Sequence, residues 1–250
     1  ASGAGNNKMN SSDPYIIIGT NNTIDGKSVT AVGEENEVYG YGLTKDKDGK
    51  IRESNSNAFG YKNVVGDAAH VGDKENFINM NNNAFGSGNT AKGGSSTAVG
   101  SSNDVEAESS VAVGEANVIT GAYSAALGVG NEVAGESATA IGFSSGASGE
   151  SATAVGFQSF ATKEGATAVG YQNHAEGQNS SAFGYTNKVD GADNSAVGNS
   201  NTIYGYGDTK VGSGDDERIR ESYSNAFGYG NTVGSADHVT DTEATINSYN

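Results

Sequence analysis

The segment Thr153-Ala154-Val155-Gly156 recurs 14 residues later as Thr167-Ala168-Val169-Gly170. Between residues 83 and 205, the same order of a small residue, alanine, a bulky apolar residue and glycine returns every 14 residues without a break. A fixed period of this kind is typical of solenoids, in which each repeat is one coil that buries its apolar side only against neighbouring coils. The sequence therefore predicts an all-β solenoid of 14-residue coils.

Further positions keep the same period. Asn or Ser follows the glycine by three residues, as in Asn89 and Asn103, and an apolar residue such as Val105 follows it by five. A second glycine usually follows by seven, as in Gly93 and Gly121. Each coil therefore reads as two short strands joined by two bends. Because Gly and Asn enter positive-φ conformations at the least cost, we expect them to form these bends.

The alanine and the bulky residue after it face opposite ways, because side chains alternate along a strand. If alanine fills a narrow interior, the bulky residues form an outward apolar strip, and such a strip marks an oligomer interface. The reverse assignment, with the bulky residues inside, stays open from the sequence. The strip, which is either a trimer interface or core, comprises Phe85, Val99, Val113, Leu127, Ile141, Val155, Val169, Phe183 and Val197.

The chain reads as a single head domain over residues 1–250, in which inserts interrupt the coils. Gly33 and the next glycine in register, Gly60, lie 27 residues apart, which leaves 13 extra residues. Residues from about 180 to 250 repeat residues from about 15 to 82, since Arg218-Ile219-Arg220-Glu221-Ser222 repeats Lys50-Ile51-Arg52-Glu53-Ser54. We place the coils at 15–40, 56–66, 82–207 and 224–234, and the insertions at about 41–55, 67–81, 208–223 and 235–250.

The inserts carry the candidate ligand-binding residues. Asp48-Gly49 lies between alternating residues, which predicts a hairpin that projects from the wall of the coils. Exposed loops on a rigid scaffold commonly carry function. The candidates are therefore the charged residues of the inserts: Lys45, Asp46, Asp48, Lys50, Arg52, Asp215, Asp216, Arg218 and Arg220.

The segment Asp46-Lys47-Asp48-Gly49-Lys50-Ile51 resembles the middle of a calcium loop, because acidic oxygens followed by a glycine turn suit that ion. Thr44 stands at the first ligand position and Asn55 at the last, so we interpret the segment as a solvated hairpin tip. The three histidines are too few and too far apart for a zinc cluster with ordinary ligand spacing. No catalytic motif stands out. The sequence predicts a protein that is not an enzyme, with no cofactor and no metal.

The charge balance excludes several partners. The formal net charge is −16, with 30 acidic and 14 basic side chains, so the chain lacks the basic surface that binds nucleic acid or anionic membranes. The longest apolar run, Tyr15-Ile16-Ile17-Ile18, is far shorter than the roughly 20 residues of a membrane helix. The N-terminus lacks the order of a signal peptide, and residue 250 falls where another coil should begin. We therefore expect the sequence to be a fragment of a longer polypeptide.

Two segments resemble the repeated head motif of trimeric autotransporter adhesins, the YadA-like head: Ser181-Ala182-Phe183-Gly184-Tyr185-Thr186-Asn187 and Ala152-Thr153-Ala154-Val155-Gly156. The resemblance covers nearly the whole chain. It implies a left-handed parallel β-roll that forms a homotrimer on the outer membrane of a Gram-negative bacterium. It also implies a cell-surface adhesin whose partners are a host matrix protein, a cell-surface receptor or other bacteria, with membrane attachment only through an anchor absent from this fragment.

An alternative function is ice binding, because a flat ladder of threonines on a β-solenoid could match the ice lattice. Other residues interrupt this ladder, which weakens the match. Thermal hysteresis in solution would support ice binding, whereas a threefold chain mass would support the adhesin. The threonine column comprises Thr97, Thr139, Thr153 and Thr167, and its interruptions are Val111, Ala125, Ser181 and Ser195.

Overall fold

The computed structural model describes residues 5–11, 14–50, 52–74, 77–206, 210–211, 218–219 and 222–238. The chain divides into two compact units, residues 1–130 and 131–250. Both units are all-β parallel solenoids in which each coil contributes one longer and one shorter strand. The longer strands of a unit form one parallel sheet and its shorter strands form a second, so each unit has a long-strand sheet and a short-strand sheet.

In the first unit, neighbouring strands of each sheet follow one another in chain order. A short 3-10 helix, Ala68–His70, lies in the second insert. The long strands are Tyr15–Thr20, Lys27–Glu34, Glu53–Tyr61, Asn83–Ser87, Thr97–Ser101, Val111–Glu115 and Ala125–Val129. The short strands are Lys8–Asn10, Thr23–Asp25, Glu37–Tyr39, Val64–Val65, Thr90–Ala91, Asp104–Val105 and Val118–Ile119.

The second unit repeats this order, with an additional antiparallel pair between Lys210–Val211 and Arg218–Ile219 and a 3-10 helix at Ala236–His238. Its long strands are Thr139–Phe143, Thr153–Phe157, Thr167–Tyr171, Ser181–Tyr185, Ser195–Asn199 and Asn225–Tyr229. Its short strands are Glu132–Val133, Gly146–Ala147, Phe160–Ala161, His174–Ala175, Lys188–Val189, Thr202–Ile203 and Thr232–Val233.

The strand register follows the sequence repeat. Ala98 pairs with Ala112, 14 residues away, and the neighbouring positions of the two strands pair in the same register. The second unit shows the same offset. These pairings confirm the predicted 14-residue coil. Where the sequence has extra residues the pairing skips them, since Gly33 pairs with Gly60.

Small side chains fill the interior of the coils. Ala98 and Ala154 have no exposed surface, and the apolar position five residues after the glycine is also buried, as at Val105. The bulky residue after each alanine points outward, and Phe85 and Ile141 keep 38% and 37% of their surface exposed. The structure therefore resolves the assignment that the sequence left open, with alanine inside and the bulky residues outside.

The bends use other residues than the sequence indicates. Positive φ angles occur at the residue before the asparagine, as at Ser102 (56°) and Ala116 (54°), and Asn103 is not among the positive-φ residues. Asn103 is instead buried, with 1% of its surface exposed. The prediction that asparagine supplies the positive-φ corner is therefore wrong. A polar side chain is favoured there because it pairs with backbone groups that the bend would otherwise leave buried and unsatisfied.

Buried asparagines form a hydrogen-bonded column along the coils. Asn103 Nδ2 donates to Asn89 Oδ1 at 3.0 Å and to the Gly114 carbonyl at 2.8 Å. The backbone N–H and the Nδ2 of Asn117 donate to Asn103 Oδ1 at 3.1 and 2.8 Å. In the second unit Ser145 takes one of these positions, and its Oγ donates to the Gly156 carbonyl at 3.1 Å and accepts the N–H of Ser159 at 3.4 Å. The column thus ties each coil to the next through side chains as well as through the sheets.

Candidate functional site

The first insert, residues 41–55, is a hairpin closed by its own backbone. The N–H of Asp46 donates to the Lys50 carbonyl at 2.8 Å, and the N–H of Arg52 donates to the Thr44 carbonyl at 2.9 Å. Asp46 Oδ1 accepts the N–H groups of Asp48 and Lys50, both at 2.9 Å. These bonds confirm the predicted turn. They also give the Asp46 carboxylate a structural role, because it caps the turn that the calcium-like segment forms.

The second insert, residues 67–81, packs against the first. Asp67 Oδ1 accepts the N–H of Ala69 at 2.9 Å, and this backbone hydrogen bond lowers the pKa of the Asp67 carboxyl. Thr44 Oγ1 donates to the Val71 carbonyl at 3.0 Å, which links the two inserts directly. Asn79 Nδ2 donates to the Gly40 carbonyl at 2.8 Å, which ties the second insert to the coil below it.

Arg52 joins the two inserts. Its side chain is only 9% exposed, its guanidinium carbon lies 3.7 Å from the centroid of the Tyr41 ring, and its Nη1 donates to the Asp73 carbonyl. Tyr41 is fully buried, and burial raises the pKa of its hydroxyl while the Arg52 charge acts in the opposite direction. The sequence placed Arg52 among the exposed ligand-binding residues. The structure places it inside, where it stabilises the packing of the inserts.

Replacing Arg52 with methionine should loosen the inserts without unfolding the coils. Methionine keeps an apolar stem but loses the stacking on Tyr41 and the bond to Asp73, contacts worth about 1–3 kcal/mol together. We expect faster trypsin cleavage after Lys45, Lys47 or Lys50 and an unchanged far-UV circular dichroism spectrum. The cleavage rate of Arg52→Lys should lie between those of the parent chain and Arg52→Met, because lysine keeps the charge but its ammonium lacks the planar guanidinium fork. Unchanged cleavage in Arg52→Met would contradict this role.

A groove of about 620 Å³ opens between the two inserts. Its apolar part consists of Phe77 and Met80, and Asn55 adds an amide. Phe77 is 64% exposed. The charged residues around it are Asp46, Lys47, Asp48, Arg52, Glu53 and Lys74.

The structure brings together part of the predicted set. Asp46, Asp48 and Arg52 line the groove, whereas Lys45 and Lys50 are exposed residues of the same hairpin and are not among its lining. In the duplicate insert, Arg218 belongs to the antiparallel strand pair, and its side chain is not described. The remaining predicted residues lie outside the described part of the chain: Asp215, Asp216 and Arg220.

Sequence reasoning missed the side of the groove that the second insert forms. Lys74, Phe77 and Met80 come from the second insert, which has no turn motif of the Asp-Gly kind. The 26-residue spacing from Gly60 to Gly86 predicts this second insert at about 67–81, but the sequence analysis named no site residue in it. Two inserts on adjacent coils must lie side by side, because adjacent coils stack about 4.7–4.9 Å apart.

The two described histidine side chains each lie beside a carboxylate close in sequence. His70 Nδ1 lies 3.1 Å from Asp67 Oδ2, and His174 Nδ1 lies 3.3 Å from Glu176 Oε1. The side chain of His238 is not described. Among the described residues, no group of three or more His, Cys, Asp or Glu side chains is arranged to hold a metal ion.

The outer face of the long-strand sheet is the second candidate surface. In each unit, the bulky residues of the repeat form an outer apolar column, one residue per coil. Phe59 and Phe85 stack in the first unit with ring centroids 5.2 Å apart. The column of the first unit contains Phe59, Phe85, Val99, Val113 and Leu127, and that of the second contains Ile141, Val155, Val169, Phe183, Val197 and Phe227.

An aromatic ladder runs beside the outer apolar column of the second unit. Phe143, Phe157, Tyr171 and Tyr185 follow the repeat glycines of four successive coils, and all four are exposed. Their ring centroids are 5.3, 5.0 and 4.7 Å apart, with planes within 6° of parallel. Because the rings cover one another's faces, the ladder presents apolar edges outward and widens the apolar surface.

Comparison with known proteins identifies the repeat over residues 91–201, which include part of each outer apolar column. A family model described as the YadA head domain repeat (2 copies) matches residues 91–116, 120–145, 147–173 and 175–201. Residues 91–201 of this chain carry YadA-like head repeats. Each matched segment covers about two of the 14-residue coils seen in the strand register. No curated protein sequence matches this chain.

The YadA-like head belongs to trimeric autotransporter adhesins, so the match confirms the resemblance and supports an adhesin-type function. Heads of this family are in general not enzymes. The match gives ice binding no support, and Thr97 pairs with Asn83 and Val111 on its two sides, which interrupts the threonine column. Among the described residues, no helix has the length and apolar character to cross a membrane. The inserts at 41–55 and 67–81 lie outside the matched residues.

Proposed function

We propose that this chain is the adhesive head of a homotrimeric autotransporter adhesin on the outer membrane of a Gram-negative bacterium. Three left-handed rolls associate side by side through their outer apolar columns. The assembled head attaches the cell to host matrix proteins, host-cell receptors or other bacteria. Three copies of each surface feature raise avidity, so that individually weak contacts suffice for attachment.

The outer apolar columns carry this proposal. A row of Val, Leu, Ile and Phe side chains at every coil gives each unit a continuous apolar outer face, and Leu127 and Phe227 are 48% and 69% exposed. Contiguous apolar surface on that scale is unfavourable in water and marks an interaction surface. The column of one chain has the same spacing as the column of a second copy, so the two can pack against each other. In an assembly with closed symmetry, every copy then buries its column. The columns therefore favour association of identical chains.

Val113→Asp should convert the trimer to single chains. A carboxylate in the outer column would have to be buried without a partner at the interface, at a cost of several kcal/mol. Val118→Asp is the matched control, because Val118 also points outward in the first unit but lies on the short-strand sheet. Light scattering should give one chain mass for Val113→Asp and three for Val118→Asp. Equal masses for the two variants would contradict the assigned interface.

Attachment itself is tested with the whole chain. Fluorescent beads coated with the trimeric protein should be retained on immobilised matrix proteins, epithelial cells or bacterial lawns, and soluble trimer should compete for retention. Val113→Asp at the same chain density should be retained less, because it lacks three linked copies. The proposal fails if the trimeric protein is retained on none of the three surfaces.

A further inference from the structure

The groove between the inserts holds an exposed aromatic ring that the fold does not need. Phe77 is 64% exposed, and the guanidinium carbon of Arg52 lies 5.9 Å from the centroid of its ring. Most of the ring therefore faces the groove, with Met80 beside it. A phenylalanine in this position contributes little to the core but offers a flat apolar platform to a ligand.

The charges around the platform balance. The lining has three acidic residues (Asp46, Asp48 and Glu53) and three basic residues (Lys47, Arg52 and Lys74), whereas the whole chain carries −16. Some of these groups are already bound within the protein, since Glu53 Oε1 lies 2.7 Å from Lys27 Nζ, Asp46 caps its turn and Arg52 stacks on Tyr41.

The side chains left open toward the groove are Lys47, Asp48 and Lys74. In the described part of the chain, none of these three has an ion-pair or side-chain hydrogen-bond partner. Two are hydrogen-bond donors and one is an acceptor. The groove therefore selects neither a polyanion nor a polycation, and it suits a neutral ligand whose groups both donate and accept hydrogen bonds.

The second copy of the insert shows which of its residues are kept and which are changed. The buried tyrosine at the base of the insert and its hydrogen bond are kept. Tyr41 and Tyr206 are both fully buried, and their N–H groups donate to Ser54 Oγ and Ser222 Oγ, each at 3.1 Å. The groove residues of the second insert are not kept, because the duplicate has Thr242, Thr245 and Ser248 where the first copy has Lys74, Phe77 and Met80. The difference between the two copies in sequence therefore falls on the residues of the second insert that line the groove, Phe77 among them.

We propose that this groove binds a neutral oligosaccharide, with Phe77 against the apolar face of a sugar ring and Lys47, Asp48 and Lys74 paired with its hydroxyl groups. Sugar hydroxyls donate and accept hydrogen bonds, which matches the mixed polar rim. The volume of about 620 Å³ lies within the range of about 300–1,000 Å³ typical of small-molecule sites. The inference names a ligand class for the adhesive role proposed above and in that sense rests on it.

The test compares the 250-residue chain with Phe77→Thr and Leu43→Asp on an array of neutral and acidic glycans. Both variants introduce the residue found in the duplicate, Thr245 and Asp208, and both replace exposed apolar side chains of the inserts. Leu43 does not line the groove, so it is the matched control. We expect binding of neutral glycans, weakened about tenfold or more by Phe77→Thr and unchanged by Leu43→Asp. Lys74→Thr should also weaken it.

The salt dependence of binding and the acidic glycans on the array distinguish the remaining outcomes. Affinity for a neutral glycan should stay constant between about 0.05 and 0.5 M salt, because no net charge is paired. Binding of acidic glycans alone, or equal binding by Phe77→Thr and the parent chain, would overturn the inference. So would an array without any bound glycan, and if the beads still adhered to cells in that case, the adhesin proposal would stand while the saccharide site fell.

Discussion

Replacing Gly156 with alanine should unfold the coils around it. Gly156 has a φ of +127°, which L-residues rarely adopt, and a Cβ there would lie 1.9 Å from the Gly170 carbonyl oxygen. The obstacle is the backbone of the next coil, which cannot move without breaking the parallel pairing of Gly156 with Gly170. We expect the free energy of unfolding to fall by more than about 3 kcal/mol. Chemical denaturation followed by circular dichroism, at one fixed protein concentration, measures this loss.

Gly88→Ala is the control for the Gly156 variant. Gly88 also has a positive φ, +64°, but its Cβ would meet nothing closer than Ser102 Oγ at 3.7 Å. Neighbouring coils already place L-residues at this position, since Ser102 and Ala116 have φ angles of 56° and 54°. Its free energy of unfolding should change by less than about 1 kcal/mol. A similar loss in both glycine variants would show that backbone strain, and not the stacking of coils, sets the effect.

Asn103→Leu should destabilise the first unit by about 3 kcal/mol or more, because leucine has a similar shape but no polar atoms. It would remove the bonds that the Asn103 side chain makes with the N–H of Asn117 and the Gly114 carbonyl, and Asn89 Oδ1 would keep only the bond from the backbone N–H of residue 103. Urea denaturation followed by circular dichroism measures the difference from the parent chain.

Asn103→Ser is the milder substitution at the same place. Serine occupies this position naturally at Ser145, where its Oγ still donates to a glycine carbonyl 3.1 Å away. We expect a loss less than half that of Asn103→Leu. If leucine were tolerated as well as serine, the buried amide column would not be what ties the coils together.

The coil period and the register could be predicted from sequence because each follows from a local repeat. A residue such as Ala98 meets only the equivalent residues one coil before and after it, so a 14-residue spacing in sequence becomes a pairing in space. The role of asparagine could not be predicted in the same way. A residue at a bend contributes either a positive φ angle or a hydrogen-bonding side chain. Ser102 supplies the φ angle, and Asn103 supplies the side chain.

The candidate site was only partly predictable, because it is formed between segments. Charge suggested that Arg52 is exposed, yet the Tyr41 ring and the Asp73 carbonyl hold it inside. Phe77 carried no signal of its own in the sequence, since a lone phenylalanine usually belongs to a core. Its place at an open groove depends on how two inserts on adjacent coils pack together, and no repeat encodes that packing.

The central claim is that the outer apolar columns are covered by further copies of the same chain. The most direct measurement is the mass of the purified chain in solution by light scattering over a wide range of concentrations. The account predicts a particle of three times the 25.2 kDa chain mass that persists on dilution. A stable, soluble particle of a single chain mass, with both columns open to water, would contradict it.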